Sequence, residues 1–103
     1  MRKLMKKVKG WVKMVIGQVR GRMDYPPLTN GQLYVILKCF HRPSDAVLRV
    51  VIEDELKRYG FNGYDTLTAA ILENLIRQFA YQHMLLTPYG QNVWMESRRV
   101  GLL

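Results

Sequence analysis

Apolar residues recur early in the chain at Leu4, Val8, Trp11, Val12, Val15 and Val19. At about 100° per residue they fall on one side of a helix, with Met5 and Ile16 at its edge. The other side carries Arg2, Lys3, Lys6, Lys9, Lys13 and Arg20, with Lys7 at the boundary. The spacing predicts a basic amphipathic helix within residues 1–22. Gly10, Gly17 and Gly21 fall in the basic arc. Each costs about 1 kcal/mol of helix propensity against alanine, yet each lets another backbone, such as a phosphate chain, come close. Pro26 and Pro27 cannot continue a helix and push Tyr25 towards extended geometry, so residues 23–28 read as a linker.

Residues 29–103 read as helices separated by punctuation. Thr29 or Asn30 can cap a helix to about Phe40, with Leu33, Val35, Ile36, Leu37 and Phe40 on its apolar side. After Pro43, Ser44 or Asp45 can cap a second helix to about Tyr59, with Leu48, Val51, Ile52, Leu56 and Tyr59 as its stripe. Glu55 falls close to that stripe and requires a partner or an exposed edge. Residues 60–63 form a turn, since glycine and asparagine accept positive φ. Asp65 or Thr66 starts a third helix through about His83, burying Leu67, Ile71, Leu72, Leu75, Ile76 and Phe79. Thr87 followed by Pro88 caps a fourth helix to about Arg99.

Charge sharpens this division. The net charge is +8 over 103 residues. Residues 1–22 hold eight basic residues (Arg22 the last) and no acid, whereas residues 23–103 hold eight of each sign. A neutral body with a positive segment points to a polyanionic partner for that segment: nucleic acid, an anionic membrane surface or an acidic protein. A core-packed helix with solvated lysines explains the same pattern without any partner, and a cleaved targeting peptide is a further reading, against which stands the lack of serine. A hydrophobic fraction of 49% with 23% charged residues excludes a disordered chain and fits one domain. The single cysteine, Cys39, cannot form an internal disulfide, which favours a reducing, cytoplasmic setting. No apolar run approaches the ~18 residues of a membrane span.

Catalytic chemistry finds little purchase. His41 and His83 are far apart in sequence and lack metal-ligand or paired-carboxylate spacing. Cys39 precedes His41 by two positions, so on a helix their side chains diverge and Cys39 reads as structural. No phosphate-cradling glycine loop is present. The sequence therefore argues against an enzyme and for no cofactor.

The order helix, helix, turn, helix and then Leu86-Thr87-Pro88-Tyr89-Gly90 resembles a winged helix-turn-helix domain over about residues 28–97. The opening Leu28-Thr29 phrase and the spacing of Leu72 and Leu75 belong to the same resemblance. It implies a mainly α, compact winged-helix-like domain behind an N-terminal basic amphipathic helix. It also implies a DNA-binding transcriptional regulator that works as a homodimer. The third helix would be the reader, presenting Thr66, Ala69, Ala70, Glu73, Asn74, Arg77 and Tyr81, with Thr66, Asn74 and Arg77 as its DNA contacts. The basic residues of 1–22 would contact phosphates. With the third helix drawn to His83, too little chain remains for a two-stranded wing. The wing is then short or absent, or the helix ends earlier. The alternative is a module that uses the amphipathic segment on a partner protein or an anionic membrane, with the helix-turn-helix shape serving protein contact.

Overall fold

The computed structural model describes residues 26–103; the helix expected within 1–22, and with it Arg2, Lys3, Lys6, Lys7, Lys9, Lys13, Arg20 and Arg22, lies outside the described residues. Four helices and three strands follow in the order α1 (Asn30–Lys38), β1 (Ala46–Leu48), α2 (Arg49–Arg58), α3 (Gly63–Leu72), β2 (Ile76–Phe79), β3 (His83–Leu86) and α4 (Pro88–Arg99). The strands form one antiparallel sheet in the order β1-β3-β2. This arrangement is compatible with a winged-helix shape. Among the described residues no helix is long and apolar enough to cross a membrane.

The two outer helices form where local signals are strongest. Thr29 caps α1 in a capping box: its hydroxyl accepts from the Gln32 amide at 3.1 Å, and Gln32 Oε1 accepts from the Thr29 amide at 2.9 Å. Gln32 Nε2 then donates to Thr66 Oγ1, 3.2 Å away on α3. Thr87 caps α4 by accepting from the Gly90 amide at 2.9 Å, with Pro88 at the first helical position.

The middle of the chain departs from its periodicity. No side chain caps a helix at Ser44 or Asp45, because the Asp45 carboxylate is engaged by the Arg42 amide at 3.0 Å and its side chain at 3.4 Å, closing a turn around Pro43. Ala46–Leu48 pair with β3, and α2 begins only at Arg49, whose amide donates to Gln82 O at 2.7 Å. Of the expected stripe, Ile52 and Leu56 are buried, whereas Leu48, Val51 and Tyr59 are exposed. Helix α3 starts earlier than expected, capped by Asn62, whose Oδ1 accepts from the Asp65 amide at 2.9 Å. It also ends earlier, at Leu72, because Asn74 takes φ 61°, the left-handed conformation that terminates helices. Residues 76–86 are therefore a two-stranded hairpin, and the expected helix to His83 is corrected. Ile71 and Phe79, expected in the core, are exposed.

Alternation within the hairpin divides its faces. Ile76, Met84 and Leu86 point into the core, while Arg77, Phe79, His83 and Leu85 line the outer face with Ala46 and Leu48 of β1. The core unites Leu33, Ile36, Leu37 and Phe40 with Ile52, Leu56, Leu67, Ala70, Val93 and Trp94. Trp94 Nε1 donates to Phe40 O at 2.9 Å and fastens α4 to the end of α1.

One junction holds α3, the hairpin and α4 together. Leu75 O accepts from the Thr87 amide at 3.1 Å, and the Thr87 hydroxyl donates to Asn74 O with Leu75 O 3.2 Å away. A Cβ on Gly90 would stand 2.0 Å from Leu75 O, an atom of the backbone that cannot swing aside. The glycine of the Thr-Pro-x-Gly phrase thus has a steric origin. Gly90→Ala is expected to destabilise the fold by about 3 kcal/mol. Gly31→Ala, which meets only the Phe61 side chain at 3.1 Å, should cost about 1 kcal/mol or less. Urea denaturation of the two variants side by side checks this; equal midpoints would refute the steric role of Gly90.

Candidate nucleic-acid interface

The surface best placed for recognition is organised by Arg49. Its amide holds the hairpin through Gln82 O, its guanidinium is 3.5 Å from Glu53 Oε2, and it lies 5.5 Å from the centre of the Tyr64 ring. The start of α2, the first turn of α3 and the hairpin end therefore share one surface. The α2–α3 crossing is tight because Gly63 faces the Glu53 backbone, where a Cβ would lie 3.1 Å from Glu53 Cα.

The hairpin connects Phe79 to His83 through Ala80, Tyr81 and Gln82. Ala80 and Gln82 take φ of 53° and 62°. For residues with a Cβ this conformation costs roughly 1 kcal/mol or more each. Between them Tyr81 is 82% exposed, and Phe79 on the strand below is 50% exposed with the Arg77 guanidinium 6.0 Å from its ring. His83 Nδ1 lies 3.0 Å from Tyr81 O. On α3, Tyr64 is linked to this tip through Arg49, Thr68 and Ile71 follow it along the helix at exposed or half-buried positions, and Asp65 faces the groove shared with Thr29 and Gln32.

The outward face expected for the third helix is corrected accordingly. Thr66, Ala69, Ala70 and Glu73 are buried. Thr66 accepts from Gln32 and faces α1 rather than solvent. Asn74 is exposed, but in the turn after α3. Arg77 and Tyr81 are exposed on the hairpin, not on a helix. The structure thus brings Arg77 and Tyr81 onto one hairpin and separates them from Thr66. Arg49, Tyr64 and Thr68 were missed by sequence reasoning; only the i,i+4 pairing of Arg49 with Glu53 was a local signal.

Little free charge remains on the body. Five of its eight basic residues are in ion pairs: Lys38 and Arg58 with Glu55, Arg42 with Asp45, Arg49 with Glu53 and Arg99 with Glu96. This answers the question posed by Glu55. Among the described residues Lys57, Arg77 and Arg98 make no ion pair. Burial lowers the Lys38 pKa, but hydrogen bonds to Tyr59 and Glu55 outweigh it and hold the ammonium above its ordinary value. The Cys39 thiol is pushed up to about 11 by burial and then by Glu55, and it donates to Val35 O at 3.2 Å. A thiol held in that state is a poor nucleophile. Among the described residues no cluster of three or more His, Cys, Asp and Glu side chains could hold a metal ion.

Glu73, in the turn between α3 and β2, holds the backbone just ahead of α1. Its carboxylate oxygens lie 3.3 and 3.4 Å from the Leu28 amide, the second residue after Pro26. Burial raises its pKa, and the Leu28 amide only partly offsets this. The buried Tyr89 hydroxyl has no hydrogen-bond partner among the described residues, and its pKa is raised by burial and by Glu73.

Comparison with protein-family profiles, curated proteins and solved structures found no match to this chain.

The Glu73 environment has a measurable consequence. The folded state holds the Glu73 proton more tightly than the unfolded chain, so stability falls as pH rises from the ordinary carboxylate pKa to the raised folded value. Glu73→Gln keeps an acceptor for Leu28 and removes the charge. It is expected to raise the melting temperature at pH 7 and to leave it unchanged near pH 3, where both side chains are neutral. A variant less stable than the parent at pH 7 would contradict the assignment.

Proposed function

We propose that this chain is a winged-helix DNA-binding regulator in which α3 and the β2–β3 hairpin seat the body on the duplex while residues 1–22 supply most of the affinity. The observation that carries this reading is the Arg49 junction, which joins the start of α3 to the exposed hairpin end on one surface. A helix and a hairpin presented together suit a groove and the adjacent backbone.

The chemistry of α3 defines what it reads. Its outer stripe, Tyr64, Thr68 and Ile71, has no lysine or arginine. Ile71 suits a thymine methyl, and Thr68 suits either a base edge or a phosphate. Such contacts discriminate between sequences but add little long-range attraction. Arg77 on β2 supplies one phosphate contact, and Asn74 lies in the turn at the foot of that strand. The remaining field comes from the eight basic residues of 1–22. A homodimer would set two such surfaces on a two-fold symmetric site.

The same exposed Tyr64, Ile71, Phe79 and Tyr81 also favour a second reading, docking of a partner protein on this face. Salt dependence separates the two. Binding to duplex DNA, followed by fluorescence anisotropy, is expected to weaken steeply as salt rises. Deleting residues 1–22 should cost roughly 10³-fold at ~100 mM salt and flatten the dependence by several units of log–log slope. Arg77→Ala should reduce that slope by about 1, whereas Thr68→Ala should leave the slope alone and relax sequence preference by about tenfold. Absence of DNA binding at ~50 mM salt, together with co-sedimentation on anionic vesicles, would overturn the DNA reading in favour of a membrane-surface module.

A further inference from the structure

The three residues that close the β2–β3 hairpin, Ala80, Tyr81 and Gln82, carry no charge. Ala80 and Gln82 both sit in the left-handed region, at φ 53° and 62°. A tip with no task beyond turning the chain would carry glycine or asparagine at such positions. Here the conformation is imposed from both sides. Gln82 O accepts from the Arg49 amide at 2.7 Å, and Tyr81 O lies 3.0 Å from His83 Nδ1. The backbone around Tyr81 is thus fixed to α2 and to β3, while its side chain is 82% exposed. A ring raised this far into solvent between strained neighbours is held there for a contact.

The chemistry of the tip decides what kind of contact. The hairpin holds one arginine and no lysine. That arginine, Arg77, pairs with Leu85 near the root and lies 6.0 Å from the centre of the Phe79 ring. The tip itself therefore has no charge with which to hold a phosphate. It offers one aromatic face, from Tyr81, and one amide, from the exposed Gln82. An aromatic face takes any nucleobase by stacking, and an amide hydrogen-bonds to a base edge. In an intact duplex the base faces are covered by their neighbours. They open where a base is unpaired or where a step unstacks easily.

We infer that the hairpin tip is a stacking wedge, in which Tyr81 lies against the face of a base at an unpaired or easily unstacked step of the duplex, with Gln82 at its edge. The inference rests on the DNA reading and adds to it a class of target: duplex that is locally disrupted or deformable. On that reading the eight basic residues of 1–22 attract the polyanion. The uncharged tip adds nothing to the attraction and selects the place where the stack opens. Its backbone is already fixed by Arg49 and His83, so little ordering is left for the moment of binding.

Two duplexes of the same sequence serve as probes, one fully paired and one with a single unpaired 2-aminopurine at its centre. Binding of the full chain is followed by anisotropy at ~100 mM salt. The bulged duplex is expected to bind about tenfold more tightly than the paired one, with a change in 2-aminopurine fluorescence. Tyr81→Ala, at an exposed position, should abolish both the preference and the fluorescence change. It should leave the salt dependence as it was, since no charge is lost. Tyr81→Trp keeps a ring and should keep the preference. Equal affinity of the parent for the two duplexes, or a preference that survives in Tyr81→Ala, would overturn the wedge and leave the DNA reading standing. Failure to bind either duplex at ~50 mM salt would overturn the DNA reading and the wedge with it. Binding to anionic vesicles that Tyr81→Ala weakens, with both DNA affinities unchanged, would assign the tip to a membrane surface and also overturn the wedge.

Discussion

The carbonyl of Leu75 is the constraint on which the rest of this fold depends. It stands where α3 has ended and β2 begins, and it receives the Thr87 amide at the point where β3 has ended and α4 begins. Gly90 must be glycine for α4 to come this close. With that contact made, the hairpin root and the first turn of α4 form one rigid corner. Trp94, one turn further on, then reaches Phe40 and closes the core. The position of the hairpin relative to the helices follows from a single backbone oxygen and the lack of a side chain opposite it.

Electrostatics in this protein are divided rather than distributed. The body spends most of its cations on internal pairs, several of them short-range partners along a helix: Arg49 with Glu53, Arg58 with Glu55 and Arg99 with Glu96. Exposed pairs of this kind add little stability, but they cancel the field that would otherwise reach a polyanion. On the proposed DNA reading, the body would contribute shape, aromatic surface and short-range polar contacts. The net charge of the sequence is carried by its first 22 residues, and within the body the Leu28 amide is held by the buried Glu73.

Sequence reasoning located what is decided locally and missed what is decided at a distance. Both outer helices were legible because Thr29 with Gln32 and Thr87 with Pro88 carry their caps within four residues. The sheet was not, since β1 is three residues long and owes its conformation to a strand nearly forty residues away. The apolar residues Leu67, Ile71, Leu72, Leu75, Ile76 and Phe79 kept helical spacing by coincidence while crossing a helix end, a turn and a strand. Asn74 was the available signal for the break, as asparagine tolerates the left-handed region. The hairpin tip gave none, because Ala80 and Gln82 adopt positive φ without being glycine or asparagine. For the candidate site, Arg77 and Tyr81 were picked out as exposed side chains but assigned to a helix. Arg49 escaped because Gln82 and Tyr64, which give it meaning, are brought to it only by the fold.

The pairing of β1 with β3 also sets an order in time. Among the described residues β1 pairs with no strand but β3, and the whole of α2, α3 and β2 lies between them in the chain. On a ribosome, residues 46–48 emerge with their partner not yet made, and they stay unpaired until residues 83–86 have followed. Helices α2 and α3 close over a few residues and can form meanwhile. The sheet therefore cannot close until β3 has been made, and of the described elements only α4 follows it out of the ribosome.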